Sequence, residues 1–373
     1  MHRSILLAAP LALAACSSST PEGNAAAAPA PSATAAAAPD AVAAAAPADT
    51  HSAPKPGALK TFGDWAVGCD NVNNCEMASL GPDGGDFPAI NMMVSRAAGP
   101  QGGITVTLLP NDGLAPKATP AAVAVDGHAI GGSFAAGDTP EATGDAAMAI
   151  ASAMANAHTL DIRDAGGKTL ATLSLKGASA ALRYIDAQQG RAGTTTAIVA
   201  TGDKPATAVP AAPAAPQIIA LTPAGTPFTP DAAAIAAMKK QADCDDSAEG
   251  DVETRALGGG ATVVLVPCGS GAYNVISAVF VARDGKVAPA KMDAVSGFTE
   301  DGEPEAVPSI VTGDFDKGVL TSYARGRGLG DCGVIQNFVW DGTMFRLSEQ
   351  QEMGECRGDP NYITTWTANV SRR

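Results

Sequence analysis

The residues best suited to chemistry in this chain are Arg325, Arg327 and Asp331, which lead into Cys332 in the segment ARGRGLGDCG, and Arg357, which follows Cys356 in ECRG. A guanidinium is planar and permanently charged, and its N–H groups form a fork that fits a carboxylate or a phosphate two atoms at a time. A bond between Cys332 and Cys356 would draw Arg327, Asp331 and Arg357 together. Such a group has two uses. It can be an internal arginine–aspartate network that fixes the turns, which is the expected one, or it can contact a ligand. Arginines gathered in one place stand out in a chain of formal net charge −14. A second polar group, Asp186, Gln188, Gln189 and Arg191, falls at a predicted helix end, where capping and hydrogen bonds between domains account for it.

Other chemistries fail on residue type or spacing. The histidines are His2, His51, His128 and His158, so the C-terminal half holds none and cannot build a Ser-His-Asp or Cys-His site by itself. His128 and His158 border an Asp-Gly turn and a strand and are expected at the surface or as caps. Gly328 to Gly333 fits GxGxxG in form, but a strand follows it instead of a helix and a cysteine sits inside it. Asp243, Asp245, Asp246, Glu249 and Asp251 resemble a calcium loop, but Ala248 occupies the position that must be glycine, so a solvated acidic loop is expected. No catalytic residue, cofactor or metal site is assigned.

The first of the seven cysteines, Cys16, closes Leu13-Ala14-Ala15-Cys16 after a short apolar run that begins behind Arg3. That run is too short to span a bilayer and fits a cleaved export signal over residues 1–15. The cysteine at its end is similar to a bacterial lipobox, in which the thiol is acylated. Ser17 in place of aspartate implies the outer membrane, with the periplasmic side favoured over the cell surface. Residues 16–57 are rich in alanine, but proline interrupts every alanine run, so a disordered tether is expected. An even number of remaining cysteines in an exported chain reads as disulfides. Local pairing, Cys69–Cys75, Cys244–Cys268 and Cys332–Cys356, is favoured among the many alternatives because each closes a short loop, contributing about 2–3.5 kcal/mol. The acidic balance argues against nucleic acid and permits a basic protein partner.

The elements that must position these residues follow from pattern. LKTFGDWAVGC, CEMASL, PAINMMVSR and GGITVTLL read as strands, and Val123 to Gly127 as a strand ending in an Asp-Gly turn. Helices are predicted over 145–157 and 179–189, with a hairpin about Gly166-Gly167 between them. Residues 58–200 are thus an N-terminal α+β domain, and the proline-rich 201–230 is a linker in which IIAL can add a strand. In 231–373 one helix, started by Thr229-Pro230-Asp231, precedes an antiparallel β meander. The fold class is α+β: two mainly antiparallel, disulfide-stapled β domains with few helices.

FGDWAVGCDNVNNC, SAALRYIDAQQGRAGTTTAI, LVPCGSGAYN, GRGLGDCG, VWDGTMFRL and ECRG, in that order, resemble the bacterial family of domain of unknown function 1176. The first domain also resembles the invasion-associated locus B family. The domain of unknown function 1176 pattern carries a Trp-Pro pair ahead of the last tryptophan and an arginine after it; here Thr364 and Thr365 precede Trp366 and Thr367 follows. The resemblance implies a fold and a compartment but no reaction. The expectation is a lipid-anchored envelope protein with a non-catalytic binding or structural role. The alternatives are an inhibitor or partner of a basic envelope enzyme, and a hydrolase with an unrecognised carboxylate site.

Overall fold

Trp65 heads the first core. Its strand, Trp65–Cys69, is buried along its whole length, and its indole N–H donates to the Ser174 carbonyl at 3.0 Å. The computed structural model describes residues 53–373 apart from 86, 112, 115, 133, 136, 246 and 299–305, so Cys16 and most of the expected tether lie outside the described residues. LKTFGDWAVGC is not one strand. Gly63, at φ +60°, turns the chain between Lys60–Phe62 and Trp65–Cys69, which then pair with each other. The antiparallel sheet continues in chain order through Cys75–Ser79, Ile90–Arg96 and Ile104–Pro110 to Glu141–Thr143. A smaller sheet contains Ala122–Val125, Thr159–Arg163 and Thr169–Ser174. Helices α1 (Gly144–Met154) and α2 (Ala178–Gln188) add Ile150, Met154, Leu182 and Ile185 to the same core.

The second half is built of two more sheets. One holds Glu253–Gly258, Ala261–Ser270, Val275–Arg283, Lys286–Pro289 and Ser309–Val311. The other runs Asp314–Asp316, Val319–Arg325, Gly333–Trp340, Phe345–Met353, Ile363–Thr367 in chain order. The unbroken apolar run ATVVLVP is explained by two covered faces, since successive strand residues point opposite ways. Val263 and Leu265 pack with Leu320, Phe338 and Phe345 of the other sheet. Val264 and Val266 pack with Met238 of helix α3 (Ala232–Gln241). The N-cap of α3 is Asp231, whose carboxylate accepts from the Ala234 N–H at 2.8 Å, and not the threonine two residues earlier. The chain closes outside the expected meander: Asn369–Arg372 pairs in parallel with Gln217–Ala220, inside the proline-rich stretch.

Among the described residues the structure is mostly antiparallel β, with three α-helices and three disulfides. Residues 52–373 form one compact unit. Within it a further core cluster draws on both halves: Ala66, Ala78 and Leu80 with Cys332, Met353, Tyr362 and Ile363. Polar contacts follow the same seam. The Thr364 N–H donates to Glu76 Oε2 at 2.8 Å, and Asn71 both accepts from the Thr367 N–H and donates to its carbonyl.

Candidate functional site

Strands Val319–Arg325 and Gly333–Trp340 are paired up to Arg325 opposite Gly333, and residues 326–332 form the turn between them. The Gly326 N–H donates to the Cys332 carbonyl at 2.8 Å and the Gly330 N–H to the Arg327 carbonyl at 3.0 Å. Glycine is required at both positions. Gly330 sits at φ +71°, and a Cβ on Gly326 would lie 2.7 Å from Cys332 Sγ. Asp331 inside this turn is fully buried. Its two oxygens take the Arg327 fork at 2.7 and 2.5 Å, and Oδ2 also accepts the Gly358 N–H at 2.7 Å. Burial opposes ionisation of Asp331, but the bonds from Arg327 and Gly358 outweigh it and hold the carboxyl below its ordinary value.

The Cys332–Cys356 bridge is present, as are Cys69–Cys75 and Cys244–Cys268. It brings the Cys356 segment to Asp331 through Gly358, but it does not bring Arg357. That guanidinium points to the other half, where it donates to Asp64 Oδ1 at 2.6 Å, the Gly63 carbonyl at 2.8 Å and the Gly81 carbonyl at 2.9 Å. Arg357 is therefore a clasp between the halves. Arg325 goes a third way. Its guanidinium stacks on the Tyr323 ring, 4.9 Å from the centroid, and among the described residues it has no ion-pair partner. The arginines read as one group have three separate tasks.

Around this turn the structure gathers residues that the sequence did not mark. Asn274 grips Arg325 by its backbone, donating to its carbonyl and accepting from its N–H, both at 3.0 Å. Tyr273 lies against Gly328, where a Cβ would meet the ring at 2.7 Å. Tyr273 and Leu329, 53% and 63% exposed, thus stand on two turns locked to each other. Beneath them the Tyr323 and Tyr362 hydroxyls both reach the Gly330 carbonyl, at 3.0 and 3.1 Å. Burial, with the neighbouring Tyr323 phenol, keeps Tyr362 from ionising. Asp359 is wholly buried, and Asn361 satisfies only its Oδ1. Burial, aided by the charge of Asp331, pushes its carboxyl up to about 7. A signal for these residues existed only in part: Asp359-Pro360-Asn361 is a turn sequence, but burial of an aspartate leaves no mark on spacing.

Elsewhere the candidate residues serve the fold. Buried Asp186 accepts from the N–H groups of Ile198, Val199 and Ala200, while Arg191 donates to the Ala97 and Gly99 carbonyls and to Gln189. These bonds stay inside the first half. The His158 ring is exposed beside Asp126, 3.4 Å away.

Residues 59–369 match the family described as Protein of unknown function (DUF1176). The chain belongs to this family. As a DUF1176 protein it is similar to the Uncharacterized protein YpfG of Escherichia coli (strain K12), 27% identical over 337 residues, which span 83% of this chain and 92% of that one. It is also similar, at 19% identity and a TM-score of 0.27, to the solved structure of invasion associated protein b from Bartonella henselae; the match covers 36% of this chain and 99% of that one.

Proposed function

We propose that this DUF1176 protein is a lipid-anchored component of the bacterial cell envelope, acylated on Cys16 and facing the periplasm from the outer membrane, that binds a protein partner and performs no reaction. The observation that carries the binding role is the pair of locked turns holding Tyr273, Leu329 and Arg325. Tyrosine and arginine on a rigid support dominate contact energies because little side-chain freedom is lost when they bind. Arg325 has no ion-pair partner among the described residues of a chain of net charge −14. It therefore suits a partner that offers a carboxylate.

The test is capture from detergent-solubilised, cross-linked envelopes with the full-length chain as bait. A reproducible partner should be retained by the exposed-lysine control Lys317→Ala and lost with Arg325→Ala and with Tyr273→Ala. Recovery of the same partner by all four baits would remove the turn surface from the reading. The acidic balance supports a second reading, in which the partner is a basic envelope protein recognised elsewhere on the molecule.

A further inference from the structure

A cleft of about 740 Å³ opens over strands Gly333–Trp340 and Phe345–Met353. Two cross-strand pairs on one face of this sheet form its floor: Gln336 opposite Gln350, and Val334 opposite Glu352. Pro54 and Pro56 contribute to the lining, as do Val295 and Phe298, which are 42% and 59% exposed.

The polar groups of this floor are unequally satisfied. The Gln336 amide is complete: it donates to the Val295 carbonyl and to Gln350 Oε1, both at 3.0 Å, and accepts from the Gly297 N–H at 2.8 Å. Asp293 accepts from the Leu347 N–H at 2.8 Å and lies 3.3 Å from the Arg346 guanidinium. Gln350 is 8% exposed, and only its oxygen is engaged; its side-chain NH₂ has no acceptor among the described residues. Glu352 is half-buried, and its side-chain carboxylate has neither a hydrogen bond nor an ion pair among the described residues. Burial alone lifts its carboxyl above the ordinary glutamate range.

A desolvated carboxylate with no partner, a free amide donor two residues along the same strand face, and apolar side chains beside them fit one ligand chemistry. We infer that this cleft binds a lysine or arginine side chain presented by an extended segment of a partner protein. The cation meets Glu352, a backbone carbonyl of the segment accepts from the Gln350 NH₂, and the aliphatic stem lies against Phe298 and Val295. A negative chain steers a basic segment toward such a site. Nothing in the arginine turn is needed for this, so the two surfaces can be tested apart.

The test uses the full-length chain and three probes: the peptide acetyl-Ala-Lys-Ala-amide, the same peptide with its lysine acetylated, and free lysine. Binding is followed by the ¹H–¹⁵N signals of the Gln350 side-chain amide. The lysine peptide should shift those signals and the acetylated peptide should not. Glu352→Gln should weaken the lysine peptide about ten-fold, the size expected for losing one charge-assisted hydrogen bond, without lowering the melting temperature. Arg325→Ala should leave the affinity unchanged. Free lysine binding as tightly as the peptide would replace the extended segment by a small amine. Equal binding by Glu352→Gln, equal binding of the acetylated peptide, or shifts confined to other residues would overturn the inference.

Discussion

Asp331 and Asp359 are both fully buried, yet the protein treats their charge in opposite ways. Asp331 has the Arg327 fork and a backbone N–H, and it stays ionised. Asp359 has no cationic partner among the described residues, and it holds its proton to about 7. Removing the fork should therefore be costly: Arg327→Ala leaves a buried carboxylate without its counter-charge, and urea melts should show a loss of about 1–4 kcal/mol. A fully stable variant would mean that Arg327 has no structural task. The pH dependence of Asp359 follows from linkage. Below its ordinary value of 3.8 the carboxyl is protonated in both folded and unfolded chains. Between there and about 7 only the folded chain retains the proton, so stability falls as pH rises through that interval. Asp331, lowered, acts in the other direction and loses its contribution only as pH falls below 3.8. Asp359→Asn should remove the Asp359 share of the fall, giving a shallower decline, and be more stable than the parent at pH 8 by on the order of 1–3 kcal/mol. Parallel pH–stability curves for the two proteins would refute this assignment.

At the scale of elements the segment 354–362 does the joining. Cys356 ties it to the second half, and Arg357 and the Gly81 N–H, which donates to the Arg357 carbonyl at 2.7 Å, tie it to the first. Replacing both Cys332 and Cys356 by serine opens a loop of sequence separation 24, which the chain-entropy model rates at about 3.5 kcal/mol. Hydrogen exchange at the Gly81 amide should speed up, while Met92 in the sheet interior stays protected. No change at Gly81 would show that Arg357 holds the seam without the bridge. Short-range signals made most elements legible. Asp126-Gly127 and Asp284-Gly285 have positive φ at both residues, as a two-residue hairpin turn needs. Asp341-Gly342 instead starts a longer loop, because Asp341 Oδ1 accepts from the N–H groups of Thr343 and Met344. The start of α3 was legible to within two residues, since threonine and aspartate cap equally well in sequence and only the backbone path selects one.

For the whole molecule the anchor is the property most open to a simple test. Cys16→Ser should abolish labelling with palmitate and move the chain from the membrane fraction to the soluble one. Unchanged labelling and fractionation would discard the lipoprotein reading, whatever the folded part binds.

The sequence by itself determined the fold class, most strands and helices, the Arg327–Asp331 turn and the acidic balance. These are set by contacts a few residues apart or by composition, which order along the chain records directly. Only the tertiary structure decided that Arg357 faces Asp64 across 293 positions, that Tyr273 and Leu329 share a surface, and that, among the described residues, Asp359 is buried without a cation and the Glu352 carboxylate lines a cleft unpaired. Those facts depend on which sheet faces meet. A side chain's partner across such a seam is fixed by packing in three dimensions, and neither its type nor its spacing carries that information.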